Sequence, residues 1–176
     1  LSHTGRWEAG TTEISYQKED ITKGTINGDN WTLDAKFMMP WEAAGTHYTT
    51  FGTQLSSNKV DSWGIEDVNG NLIDVIEQKN KAFFAEDEWS LTEKVTLTLG
   101  ARFDDPDDFD SHVSPRTYLV WKSTEQLTIK GGIATGFQAP RADYVAPGLV
   151  TESENATTGA LSYTYANPDM QPETSI

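Results

Sequence analysis

The densest chemistry in this 176-residue chain is Asp104-Asp-Pro-Asp-Asp-Phe-Asp110, five carboxylates in seven residues. Asp104, Asp105, Asp107, Asp108 and Asp110 hold enough oxygen for a calcium ion if a turn converges them. The calcium-loop template also asks for a turn glycine and a distal glutamate, and neither stands here. A solvated acidic loop whose charges repel is the competing reading. Glu86 and Glu88 share one parity, as paired acids for proton transfer would, but no histidine stands near them in sequence. His3, His47 and His112 are scattered without metal-ligand spacing. Gly131-Gly-Ile-Ala-Thr-Gly136 imitates a phosphate loop but lacks the Lys-Ser/Thr that such a loop needs. The cations Lys59, Lys79, Lys81, Arg102, Arg116 and Arg141 remain. Arg141 is the best placed for oxygen anions, being planar and permanently charged, with Tyr144 near enough to stack or donate. For most of these cations the alternative is an ion pair with Glu86, Glu88, Asp104 or their neighbours.

Composition narrows the classes that could use such residues. Lys plus Arg number 13 against 27 Asp plus Glu, a net charge of −14, so a phosphate-backbone binder is excluded and no nucleic-acid partner is expected. No run of about 18 apolar residues exists to cross a membrane as a helix. A membrane-crossing strand needs only about 10 alternating residues and stays open. Cysteine is absent, which removes disulfides and thiolate metal sites. Leu1 begins without a basic or apolar leader, so any signal segment is expected outside this chain.

The elements that must position these groups read as strands. From Val95 to Asp104, Val95, Leu97, Leu99, Ala101 and Phe103 share one parity and Thr96, Thr98, Gly100, Arg102 and Asp104 the other. That period of two marks a strand with an apolar and a polar face. In a barrel wall Val95, Leu97, Leu99 and Phe103 would face lipid and Thr96, Thr98, Gly100 and Arg102 the lumen; arginine at Leu97, near mid-membrane, should cost about 2–4 kcal/mol, and at Thr98 little. Trp31–Met39 and Leu127–Phe137 repeat the pattern. Weaker runs lie at Gly5–Lys18, Thr46–Ser57, Ala82–Leu91 and Val113–Lys122, giving seven expected strands. Their connections alternate. Pro40–Gly45, Thr92-Glu93 and Ser123–Glu125 are short, whereas Glu19–Asn30, Ser56–Asn80, Asp104–His112 and Gln138–Pro168 are long. Tight turns at one end and long loops at the other fit an outer-membrane barrel. Trp31, Trp89, Trp121 and Phe137, near strand ends, suit an interfacial girdle. A soluble β-sandwich binding module and a complete eight-stranded barrel are the alternatives.

Four separate motifs then carry a resemblance. Phe83–Thr92 followed by Val95–Asp104, Ser114-Pro-Arg116, Thr128–Arg141 and Asn167–Thr174 together resemble the TonB-dependent outer-membrane receptors. The form Lys130-Gly-Gly-x-x-x-Gly-Phe-x-Ala-Pro-Arg141 most resembles receptors for catecholate siderophores that also serve colicins. The resemblance implies an all-β antiparallel meander in the bacterial outer membrane, crossing it many times. This chain would be a slice of about seven to eight strands from a 22-stranded barrel. Residues 1–176 would then be a partial barrel domain, with the plug and closing strands outside the chain. It further implies a ferric siderophore as ligand, energy from TonB through a missing N-terminal region, lipid around the wall, and a colicin or phage on the loops. No enzyme activity and no resident cofactor follow, since iron enters only as cargo. Arg141, Tyr144, Gln138, Arg102 and Arg116 are the expected ligand contacts, because a ferric catecholate is a trianion.

Overall fold

A computed structural model describes residues 1–23, 26–62, 69–71, 75–146, 148–155 and 157–176. Its frame is one antiparallel sheet of eight strands in sequence order. These are β1 (Ser2–Trp7), β2 (Gly10–Lys23), β3 (Ile26–Glu42), β4 (Thr46–Ser62), β5 (Val75–Thr92), β6 (Val95–Pro106), β7 (His112–Lys122) and β8 (Thr128–Ala134). A short β9 (Gly136–Gln138) continues β8. One helical turn, α1 (Ala142–Val145), then leads to the hairpin β10 (Val150–Glu154) and β11 (Leu161–Tyr165). The last strand, β12 (Glu173–Ser175), returns to pair with β9. Strands β1 and β8 are not paired with each other, so the sheet is open and not a closed eight-stranded barrel.

Two expectations about boundaries change. The run Gly5–Lys18 is two strands, not one: β1 and β2 meet at Glu8-Ala9, with Trp7 opposite Gly10. The stretches Glu19–Asn30 and Ser56–Asn80 are mostly strand. β2 and β3 stay paired out to Lys23 opposite Ile26, and β4 and β5 out to Asp61 opposite Val75. Residues 24–25, 63–68 and 72–74 of those stretches lie outside the described residues. The turns Ala43–Gly45 and Glu93-Lys94 sit at one end with residues 123–127, and residues 107–111 at the other, as the link lengths require.

The register sorts the side chains into two faces. One carries rows such as Phe37, Phe51, Ala85, Ala101, Pro115 and Ala35, Thr53, Phe83, Phe103, Val113. The other carries Glu13, Lys36, Gly52, Phe84, Arg102, Ser114 and Asp34, Gln54, Ala82, Asp104, His112. Along β5 the apolar-face positions from Val75 to Ala85 are exposed while the polar-face positions between them are covered. That alternation puts the polar face on the concave side. Among the described residues only Ala82, Ala146 and Leu149 are buried apolar residues, while Phe51, Phe83, Leu99, Val113 and Ile133 are 48 to 65% exposed. A water-soluble sandwich would invert this, with apolar side chains between its sheets. The sandwich alternative is therefore overturned.

Aromatic rows bound the apolar face. Trp31, beside Tyr16 with ring centroids 6.4 Å apart, stands at the loop end. Trp41, His47 and Trp89 stand at the turn end, with Trp121 one row beyond. Ten residues of β3 separate Trp31 from Trp41, about 33 Å of strand. Tilted by about 40°, that length crosses the roughly 25 Å apolar band of a barrel. Leu97 lies in the Trp41–His47–Trp89 row, at the rim of the band and not at mid-depth as expected; Ala101 takes the mid-depth position on β6. Phe137 departs from the girdle, stacking on the polar-face ring of His112 at 4.8 Å.

Between the two tryptophans, His47 is sandwiched with centroids 4.0 Å from Trp41 and 5.2 Å from Trp89. Its Nδ1 meets Asp87 Oδ2 at 2.7 Å and its Nε2 meets Ala43 O at 2.9 Å. Thr49 donates to Asp87 Oδ1 at 2.6 Å and receives Trp41 Nε1–H at 2.7 Å. A carboxylate thus sits on the apolar face with every oxygen satisfied, which is the condition for keeping it there.

Candidate functional site

The polar face concentrates its chemistry toward the loop end. β6 offers Arg102 and Asp104 two residues apart, hence on one face, and their side chains close on each other. Arg102 Nε donates to Asp104 Oδ2 at 2.9 Å and Nη2 donates to Asp104 Oδ1 at 2.9 Å. Nη2 also donates across two strands to Gln54 Oε1 at 2.9 Å, and Gln54 Nε2 donates to Asp34 Oδ1 at 2.7 Å. Asn80 Nδ2 donates to Asp104 Oδ1 at 3.0 Å. Asp104 is 6% exposed, so the carboxylate side of this bidentate pair is shielded from solvent. Two polar sites stay open in the network. Arg102 Nη1 makes no hydrogen bond among the described residues, and Asn80 Oδ1 is buried without a partner.

Arg102, Asp104 and Asn80 floor a depression of about 470 Å³. Ser56, Asn58, Gln78 and Ser114 line its sides, and Phe137 and Ala139 close it from the loop base. Gln78 Nε2 donates to Pro140 O at 3.1 Å, drawing that loop base over the polar face. Above it the Arg141 guanidinium stacks on the Tyr144 ring, 5.0 Å from the centroid, and Tyr144 N–H donates to Arg141 O at 3.0 Å. The site is amide-rich and concave with one partly committed guanidinium. It suits a polar, oxygen-bearing ligand and offers no nucleophile–base pair.

The expected contacts divide. Arg102 enters the depression, and Arg141 and Tyr144 form one stacked unit at the loop base. Arg116 sits two residues turnward of Ser114 and pairs with Glu86 across Gly100, the one residue between them that lets the guanidinium pass. Gln138 is exposed at the loop base, its backbone paired opposite Glu173 in the β9–β12 ladder. The calcium alternative fails on parity. Asp104 points to the concave face with Arg102, whereas Asp107 pairs with Lys81 of the apolar face at 3.5 Å. Among the described residues no three acids or histidines converge on a metal. Reasoning on cations alone missed Gln54, Gln78 and Asn80; their signal was polar-face parity continued beyond the recognisable alternation.

Of the groups beyond the apolar band, Glu77 is held below the usual carboxylate range, mainly by the Lys79 ammonium and then by the Ser57 hydroxyl. Lys79 Nζ stands 3.0 Å from Glu77 and Ser57 Oγ donates to it at 2.9 Å.

The family profile described as "TonB dependent receptor-like, beta-barrel" matches residues 2–176. The chain belongs to the TonB-dependent receptor β-barrel family. Among curated relatives of this receptor chain, the iron-regulated outer membrane virulence protein of Vibrio cholerae is 35% identical over 184 residues, covering 100% of this chain and 26% of that protein. The ferrienterobactin receptor of Escherichia coli is 26% identical, covering 96% of this chain and 25% of its own. The chain thus spans about a quarter of the length of the curated relatives it matches. The crystal structure of the siderophore receptor PirA from Pseudomonas aeruginosa superposes with a TM-score of 0.84 at 22% identity, over 98% of this chain and 33% of that one. In an outer-membrane receptor the apolar face meets lipid and the concave polar face lines the lumen. The Escherichia coli relative is a receptor, not an enzyme.

Proposed function

We propose that this chain builds part of the wall of a receptor that binds and imports a ferric siderophore, of the catecholate type, with energy relayed by TonB. The observation that carries this reading is the depression at the loop end of the lumenal wall, where Arg102 Nη1 makes no hydrogen bond among the described residues. A ferric tris-catecholate is an octahedral trianion, and the oxygen pair of each planar catecholate suits the planar fork of a guanidinium. The Arg141–Tyr144 unit stands at the mouth of the same end and offers a second cation beside a ring. The enterobactin receptor among the relatives supports the cargo class. The net charge of −14 argues that attraction is local, made by particular guanidinium groups and not by the field of this wall as a whole.

The test is equilibrium binding of a ferric tris-catecholate to the full-length receptor carrying Arg102→Ala or Arg141→Ala. Loss of one charge-assisted contact weakens affinity about tenfold in each variant, and more than additively in the pair if both touch one ligand. Unchanged affinity in both folded variants removes this segment from the binding site.

A further inference from the structure

A guanidinium has five N–H donors, and the network around Arg102 commits them unequally. Asp104 takes Nε–H and one Nη2–H, the side-on fork, at 2.9 Å each. That carboxylate also accepts from Asn80 Nδ2, so it is held from β5 as well as β6. The two bonds to Asp104 set the guanidinium plane by themselves. The second Nη2–H goes to Gln54 Oε1 at 2.9 Å. This neutral, half-buried acceptor is not needed to orient Arg102. What it does is occupy half of the end-on fork, whose other half is Nη1. Asp34 aims the amide: its Oδ1 accepts from Gln54 Nε2 at 2.7 Å, which keeps Oε1 turned toward the guanidinium. Gln54 does not line the 470 Å³ depression that Arg102 floors. It lines a neighbouring one of about 570 Å³, with Asp34, Lys36, Phe84 and Arg102 again. Released from Nη2, its side chain has open space on its own side of the guanidinium.

We propose that Gln54 is the release element of this site: its side-chain carbonyl yields Nη2 to the second oxygen of a catecholate pair and takes it back as the cargo departs. The inference rests on the reading of the depression as a ferric catecholate site with Arg102 as a contact. One catecholate oxygen meets Nη1, and the other reaches the end-on fork only where Gln54 stands. Asp104 is not the group that gives way, because displacing it would strand a buried carboxylate. The Gln54 amide gives up one neutral hydrogen bond and keeps its bond to Asp34. Affinity therefore stays below what an empty fork would give. Departure is eased for the same reason, since Nη2 passes from catecholate to amide and is never left without an acceptor. A conducting wall needs binding firm enough to capture its cargo and loose enough to let it go. A neutral acceptor meets that need: a carboxylate at position 54 would hold the fork against the cargo, and an apolar side chain would leave the cargo holding both donors.

The test is binding and chase kinetics of a ferric tris-catecholate on the full-length receptor carrying Gln54→Met, which keeps the side-chain length and removes the carbonyl. Affinity rises about fivefold, the worth of one competing hydrogen bond, and the change lies in slower dissociation with association nearly unchanged. Gln54→Ser, polar but too short to reach Nη2, tightens binding likewise and guards against a packing effect of methionine. In an Arg102→Ala background Gln54→Met changes nothing, because the fork it competes for is gone. If Gln54→Met and Gln54→Ser weaken binding or leave it unchanged while Arg102→Ala weakens it, the release role is overturned and the ligand role of Arg102 stands. A gain from Gln54→Met that persists in the Arg102→Ala background also overturns the release role, since it then acts elsewhere. If Arg102→Ala itself leaves affinity unchanged, the reading of the depression falls and this inference falls with it.

Discussion

At the scale of single residues, the wall depends on contacts that leave no slack. A Cβ at Gly52 would lie 2.2 Å from the Phe84 ring, so Gly52→Ala cannot fit unless that ring moves. We expect it to cost about 1–3 kcal/mol in detergent unfolding, and Gly52→Ala/Phe84→Leu to recover most of the loss. His47 is the counter-group that lets Asp87 occupy a lipid-facing position. His47→Leu should cost about 2–3 kcal/mol by stranding that carboxylate, while His47→Leu/Asp87→Leu costs less than the single change. A double-mutant cycle of unfolding midpoints reads the difference. Glu77 gives a pH signature. Its folded pKa is depressed, so its stabilising contribution is present above the unfolded value and fades as pH falls through the folded one. In Glu77→Gln the loss of stability below roughly pH 4 should be shallower than in the parent.

At the scale of elements, depth along a strand decides what a substitution does. On β6, Ala101→Arg faces lipid at mid-band and should cost about 2–4 kcal/mol, whereas Leu97→Arg at the rim costs about 0–1 and Thr98→Arg on the concave face little. Refolding equilibria into bilayers measure all three; a larger penalty at Leu97 than at Ala101 would refute the placement of the band. The same depth logic explains what was legible in the sequence. β6, β8 and the lower half of β3 could be read because lipid on one side and water on the other enforce alternation. Glu19–Asn30 and Ser56–Asn80 read as loops because strands beyond the band are wetted on both faces, and polar residues on both parities carry no period. The turn at Glu8-Ala9 was hidden because its two residues neither break the apolar run nor spell a tight-turn pair. Arg102 was visible as a cation, but its partner Gln54 lies 48 residues away and only the register joins them.

At the scale of the whole molecule, the open sheet has edges at β1 and β8 whose backbone groups seek partners. Expressed alone, the chain should associate through them, visible as concentration-dependent oligomers in light scattering. The scarcity of buried apolar side chains also has a calorimetric consequence. The heat-capacity increment of unfolding comes chiefly from newly hydrated apolar surface. Here that surface is solvated by acyl chains before unfolding and by detergent tails afterwards, so little of it ever meets water. The stability curve of this wall should therefore be nearly flat with temperature, with a shallow maximum and no accessible cold transition, unlike that of a soluble domain of equal length.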